Sequence, residues 1–267
     1  MNGAVPIAMQ RRAYSGEAAE PMPRSVPMEV PIAIEINGIA YAVMMATPLN
    51  IADFVTGFLL GEGLAEAAEI GAVECHETDQ AEWGRGMVAR VTLPPHRLEP
   101  IMDRARRRLG DSSCGICGIE SVEAALRPLP KLTRASLATP AAIGLAVTAL
   151  GERQPLGRET AATHAAAFCA EDGTILHVRE DVGRHNALDK LIGALALAGL
   201  PAREGFIIMT SRCSYELVEK AVRAGCPLLV AISAPTDLAV RRAKAAGLSL
   251  AVVARNDNML WVTDDGL

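Results

Sequence analysis

The chain has 267 residues, half of them hydrophobic but only 3% aromatic, and a formal net charge of −5. That length admits one large domain or two modest ones around an aliphatic core, which suits layered α/β packing better than an aromatic-rich sandwich. The acidic balance argues against general nucleic-acid binding, and no apolar run reaches the roughly 18–20 residues that would make a membrane span.

Residues 1–28 mix Pro, Met, Arg, Ser and Glu without the apolar stretch of an export signal, so the expectation is a disordered tail on a cytoplasmic protein. Asn37-Gly38, set between apolar residues 32–36 and 39–45, predicts a tight β-hairpin. Thr47-Pro48 leads into residues 51–60, whose apolar positions recur at helical spacing, and Gly61 and Gly63 supply the stop. Residues 88–93 read as a strand and 96–109 as a basic helix carrying Arg104, Arg106, Arg107 and Arg108. Together, residues 29–110 are expected to form a small α+β domain.

A mobile loop and linker is expected over 111–130, containing Ser112-Ser113-Cys114-Gly115-Ile116-Cys117-Gly118. After it, Thr139-Pro140 is an N-cap followed by proline at the first helical position, opening an alanine-rich helix to about Leu150. Residues 164–169 and 174–178 read as paired strands about Glu171-Asp172-Gly173. Helix 186–197, strand 206–209, helix 215–224, strand 228–232, helix 236–246 and strand 248–254 follow. This β-α-β-α-β alternation predicts that 131–267 is a three-layer α/β/α domain with parallel strands, an α/β fold class for the whole.

In such sheets ligands collect where strands hand over to helices, because free N–H groups and the helix dipole point there. Arg179-Glu180-Asp181-Val182-Gly183-Arg184-His185-Asn186 occupies one such turn, and Arg184 and His185 sit where an anion would dock. A purely structural alternative pairs Arg179 and Arg184 with Glu180 and Asp181 as a salt-bridged turn. Thr210-Ser211-Arg212-Cys213-Ser214 offers hydroxyls and a guanidinium suited to phosphate, although its serines also suit helix capping. Ser233-Ala234-Pro235-Thr236 most simply caps the next helix, and Arg255-Asn256-Asp257-Asn258 is a polar loop able to read a base or ribose or to turn the chain. Several anion-suited turns on one sheet edge point to a large phosphorylated ligand.

The six cysteines have no framework spacing apart from Cys114-x-x-Cys117, so in a reducing compartment that pair is expected to be chemical rather than a structural disulfide. A structural zinc needs four ligands and the pair supplies two; Cys75 and His76, the nearest others, are adjacent and poorly placed to chelate together. The pair follows a basic helix rather than a strand, against a thioredoxin-like role, and the glutamate and proline of a zinc nucleobase deaminase are missing. Sulfur handling remains. One thiolate takes up a sulfane sulfur as a persulfide, and its neighbour can release that sulfur by forming a disulfide.

The segments at 112–118, 179–190, 210–216 and 233–236 resemble the FdhD (FdhD/NarQ) family of formate dehydrogenase accessory sulfurtransferases. Ala46-Thr47-Pro48 and Gly57-Phe58-Leu59-Leu60-Gly61-Glu62-Gly63 are similar too, and the likeness runs from about residue 29 to 263. It implies a cytidine-deaminase-like α/β/α main domain without the deaminase zinc, a homodimer, and sulfur loaded by a cysteine desulfurase as a persulfide on Cys114, with Cys117 its partner. The acceptor it implies is a molybdenum (or tungsten) bis(molybdopterin guanine dinucleotide) cofactor destined for formate dehydrogenase, bound near Val253, Ala254, Arg255, Asn256, Asp257 and Asn258. No structural metal is expected. A non-catalytic chaperone that binds and delivers the same cofactor is the alternative. Many members of the family it resembles carry Thr-Gly-Gly before the histidine, where this chain has Thr160-Ala161-Ala162-Thr163-His164.

Overall fold

The computed structural model describes residues 3–16, 19–80, 84–107, 128–255 and 257–262. The chain opens with an arm in which β1 (Ala4–Ile7) pairs antiparallel with β4 (Arg24–Pro27), and β2 (Gln10–Arg11) with β3 (Glu20–Pro21). The expected disordered tail is therefore corrected to a two-stranded ribbon. Composition concealed it because the arm needs no core of its own. Its base leans on the body of the protein, where Gly3 lies against Leu49 and Leu156, and Arg24 Nη2 donates to the Thr160 carbonyl at 3.2 Å.

Next comes the predicted hairpin of β5 (Val30–Ile36) and β6 (Ile39–Ala46). Asn37 and Gly38 both take positive φ, 50° and 79°, as a two-residue type I′ turn requires. The Asn37 amide also bonds the backbone of Leu93 in both directions, which fixes the turn to a neighbouring segment. A four-stranded sheet is completed by β8 (Gly84–Val91), parallel to β5, and β7 (Glu74–Gln80) at the edge, in the order β6-β5-β8-β7. One face buries Val30, Ile32, Ile34 and Ile36 at strict two-residue alternation. Against it packs α1 (Ile51–Gly61) through Phe54, Val55, Phe58 and Leu59. Beyond β8, α2 (Leu98–Arg107) follows a short 3-10 turn, as the basic helix was expected to run.

In the second lobe, α3 (Pro140–Leu150) starts at Thr139, whose hydroxyl accepts from the Ala142 N–H at 3.2 Å. The short α4 (Pro155–Thr160) precedes the antiparallel pair β9 (His164–Ala170) and β10 (Ile175–Asp181). There follow α5 (Arg184–Leu197), β11 (Gly205–Met209), α6 (Tyr215–Arg223), β12 (Leu228–Ala231), α7 (Asp237–Ala246), β13 (Ser249–Val252) and a final edge strand, β14 (Leu260–Trp261). The sheet runs β10-β9-β11-β12-β13-β14, with β11, β12 and β13 parallel. Ile143, Val147 and Leu150 of α3 fill one face with Phe206, Ile208 and Val230. On the other face Leu188, Leu217 and Ala243 of α5, α6 and α7 pack with Ile207, Leu229 and Leu250. Three layers result, as the alternation predicted.

The two lobes meet where α1 crosses α5. A Cβ built on Gly57 would lie 1.7 Å from the Asp189 carbonyl oxygen, and one on Gly193 would lie 1.8 Å from that of Asp53. The backbones touch with no side chain between them. Around this contact, polar groups bridge the seam: Arg179 Nε to Asp53 Oδ2 at 2.6 Å, and Lys220 Nζ to Asp189 Oδ1 at 2.8 Å and Glu62 Oε1 at 3.6 Å. Wholly buried Lys190 bonds Asp181 Oδ2 at 2.6 Å and the Thr47 carbonyl at 2.8 Å. Pairs like these contribute modestly while intact, but removing one partner strands a buried charge at a cost of about 3–5 kcal/mol. A methyl group at the crossing forces the helices apart and disturbs all of them together. Gly193→Ala is accordingly expected to destabilise the protein by at least about 3 kcal/mol, read as a lowered urea midpoint, whereas Gly144→Ala, in open space on α3, leaves the midpoint near wild type or raises it.

Candidate functional site

Topology alone gathers the candidate residues. Parallel β11, β12 and β13 end on one edge of the sheet, antiparallel β9 begins there with His164, and β10 ends there with Asp181 paired to His164. The loops leaving this edge are laced together: Thr210 Oγ1 accepts from the Ala165 N–H at 2.8 Å, Cys213 N–H donates to the Ala234 carbonyl at 3.2 Å, and Val253 N–H to that of Ser233 at 3.2 Å. Residues of all four polar segments thus share one rim, at the N-termini of α5, α6 and α7.

Most of the 179–190 segment is architectural, and not in the local pairing that the sequence allowed. Arg179 reaches across the seam to Asp53. Glu180 caps α4, accepting from the Leu156 and Gly157 N–H groups at 3.0 and 2.6 Å. Asp181, fully buried, accepts from Thr47 N–H, Gly183 N–H, Asn186 Nδ2 and Lys190 Nζ at 3.0, 2.8, 3.0 and 2.6 Å. Arg184 and His185 are left facing the rim. The buried Nε of Arg184 has no hydrogen-bond partner among the described residues.

His185 Nε2 lies 3.5 Å from Ser214 Oγ and 4.0 Å from Glu216 Oε2. Burial, then the Arg184 and Lys220 charges, push its pKa down to about 3. Burial and the Arg184 charge also lower His164. Both rings are neutral at pH 7, so the charge presented here is that of the guanidinium. Ser214 begins α6 without a side-chain cap bond, which leaves its hydroxyl beside His185 rather than in the capping role the turn suggested. Thr236, by contrast, caps α7 as expected, accepting from Ala239 N–H at 3.2 Å. Ser211 is buried, its hydroxyl donating to the Arg212 carbonyl at 3.1 Å, while the Arg212 side chain is exposed on the rim.

At the last loop, Val253 takes φ 52°, a left-handed conformation that costs a β-branched residue on the order of 1–3 kcal/mol. It turns the chain off β13. Ala254 is buried and offers only backbone, whereas Arg255, Asp257 and Asn258 are exposed. Part of the Arg255 guanidinium is spent internally on the Ile232 carbonyl, and Arg255 N–H donates to the Asn258 carbonyl at 2.8 Å. Asn256 lies outside the described residues, as do Cys114, Cys117 and the remainder of 108–127, and nothing is described of the α2 side chains from residue 103 onward.

The other cysteines are poor nucleophiles. Burial pushes Cys169, Cys213 and Cys226 up to about 12, and also raises Cys75 on edge strand β7. Cys75 and His76, considered as a metal pair, are successive residues of one strand and point to opposite faces. Among the described residues no three His, Cys, Asp or Glu side chains are grouped to hold a metal, and no helix is long and apolar enough to cross a membrane. A cavity of about 500 Å³ opens at the opposite end of α5 and α6, between Leu60, Ile192, Leu195, Arg97 and Arg223, well away from the polar rim. What the rim itself can do is bind an anion: it offers a half-buried guanidinium, neutral imidazoles, hydroxyls and the N-termini of three helices.

A family model described as the FdhD/NarQ family matches residues 27–266. A protein of Variovorax paradoxus (strain S110) named "Sulfur carrier protein FdhD" is 44% identical over 238 residues, which cover 89% of this chain and 84% of the relative. One of Xanthomonas oryzae pv. oryzae (strain MAFF 311018), with the same name, is 47% identical over 231 residues, covering 86% and 81%. The crystal structure of a protein from Desulfotalea psychrophila, described as a formate dehydrogenase accessory protein, superposes with a TM-score of 0.74 at 22% identity over 97% of this chain and 96% of that one.

Two measurements test this description of the rim. The unfolded chain protonates a histidine near pH 6.5, while the native state refuses the His185 proton until about pH 3. Stability is therefore present above pH 6.5 and lost as the pH falls through that window. Melting temperatures measured from pH 7 to pH 4 should fall less steeply for His185→Gln than for wild type. Separately, Ala161 closes α4 at φ 56°, ψ 25°, the left-handed region that favours glycine. Ala161→Gly removes a left-handed alanine and is expected to stabilise by about 1 kcal/mol in urea unfolding.

Proposed function

The chain belongs to the FdhD/NarQ family, and on that premise we propose that it is a sulfur carrier that matures the molybdenum cofactor of formate dehydrogenase. A cysteine desulfurase supplies the sulfur. The Cys114 thiolate attacks the terminal sulfur of the donor persulfide, forming Cys114–S–SH and releasing the donor cysteine as thiolate. Delivery follows when the Cys117 thiol attacks the inner, Cys114-bound sulfur: the Cys114–Cys117 disulfide forms, hydrosulfide departs to become the metal's sulfido ligand, and a cellular dithiol resets the pair. The acceptor substrate is the bis(molybdopterin guanine dinucleotide) form of the cofactor, and the protein works as a homodimer.

The observation that carries this reading is the convergence of four polar segments on one sheet edge, with the buried Nε of Arg184 unpartnered among the described residues. A dinucleotide brings pyrophosphates, which suit a guanidinium beside helix N-termini, and a guanine edge and ribose, which suit the hydrogen-bonding groups of residues 255–258. The names of the relatives at 44% and 47% identity support the sulfur-carrying half. Burial of Cys169, Cys213 and Cys226 supports it further by setting those three thiols aside as sulfur acceptors.

Incubation with a cysteine desulfurase and cysteine, followed by persulfide labelling and peptide mass analysis, tests the chemistry directly. One added sulfur is expected on the Cys114 peptide of wild type, retained in Cys117→Ala and absent from Cys114→Ala. No adduct on either cysteine, with a competent desulfurase, overturns the carrier reading. Formate dehydrogenase activity that survives Cys114→Ala in cells but not Arg184→Ala would instead establish a chaperone that only delivers the cofactor.

A further inference from the structure

We propose that Asp181 is the positioning residue of this rim: it holds Arg184 in place for the ligand and ties that turn to the N-terminal lobe. The proposal rests on the cofactor-binding reading above. The Asp181 carboxylate is wholly buried and collects donors from three sources. Gly183 N–H comes from its own turn, Asn186 Nδ2 and Lys190 Nζ from α5, and Thr47 N–H from the other lobe. Three further bonds close the knot: Val182 N–H to Thr47 Oγ1 at 3.2 Å, Lys190 Nζ to the Thr47 carbonyl at 2.8 Å, and Asn186 Nδ2 to the Met45 carbonyl at 2.9 Å.

Arg184 sits between residues 181–183 and 186, all of them knotted, and itself makes none of these bonds. Its backbone cannot tilt unless the knot opens. Gly183 adds to the constraint, since a Cβ there would lie 2.8 Å from Asn186 Nδ2. A role in stability alone explains this poorly, because a buried ion pair is commonly replaced by apolar residues without loss. A role in geometry explains it well: a misplacement of about 1 Å in a binding group can cost on the order of 100-fold in function.

The two roles separate on affinity. Guanosine diphosphate serves as the probe, titrated calorimetrically into the full chain, with melting curves to confirm folding. Asp181→Asn combined with Lys190→Met removes both buried charges together at nearly constant volume. That double variant is expected to melt cooperatively, to bind the probe about 10-fold or more weakly, and to lose little further when Arg184→Ala is added. Wild-type affinity in the folded double variant overturns the proposal, and so does a loss that multiplies in full with that of Arg184→Ala. Should the double variant not fold, Asn186→Ala opens the same knot and carries the same expectations. Arg184→Ala alone is the control. If it leaves affinity unchanged, the cofactor-binding reading fails and the proposal with it, whereas an intact Arg184 effect beside a silent Asp181 sinks the positioning role only.

Discussion

Two helices that touch backbone to backbone set the terms for the rest of the molecule. Because Gly57 and Gly193 leave α1 and α5 nothing to keep them apart, Asp53, Glu62 and the Thr47 backbone come within reach of Arg179, Lys220 and Lys190. A wider crossing, with ordinary side chains in between, would leave these cations facing empty space or water. The seam is therefore built in an order that physics dictates: close approach first, made possible by missing side chains, and charge pairing second, made affordable by that approach.

The same order explains the strange density of charge in residues 179–190. Nearly every polar side chain in that stretch has a partner far along the chain or in another element, and the outcome of all that pairing is to present two residues that have none of comparable strength. Arg184 and His185 stand at the start of α5 with helix dipole behind them and neutral histidine beside them. Under the proposed reading, such a place suits a multiply charged anion that spans several loops, because a guanidinium in low-dielectric surroundings interacts more strongly with charge than one in water.

Local structure was legible in the sequence wherever one or two residues carry the cause. Asn37-Gly38 fixed a hairpin through two left-handed conformations, Thr139-Pro140 and Thr236 opened helices through caps, and the β-α-β alternation announced three parallel strands. The N-terminal ribbon and β7 were not legible. The ribbon is held by backbone pairing and by its footing on Leu156 and Thr160, and β7, with the sequence Glu-Cys-His-Glu-Thr-Asp-Gln, is an edge strand too polar to show an apolar alternation. At the rim, the sequence picked out turns that the fold gathers on one sheet edge, but not the division of labour within them. That Arg179 belongs to Asp53, and Glu180 to the amides of α4, depends on partners distant in sequence that spacing cannot reveal.

The backbone contact at the seam also governs how the chain is made. Gly57 emerges from the ribosome well before Gly193, with the 114–117 cysteines and the whole of β9 and β10 still to come between them. At translation rates of about 5–20 residues per second, α1 waits on the order of ten seconds with the face meant for α5 uncovered. During that interval the N-terminal lobe still lacks Arg179 and Lys220, the cations that Asp53 and Glu62 meet across the finished seam. The charge pairs that lock the lobes together can therefore form only after most of the chain has been made.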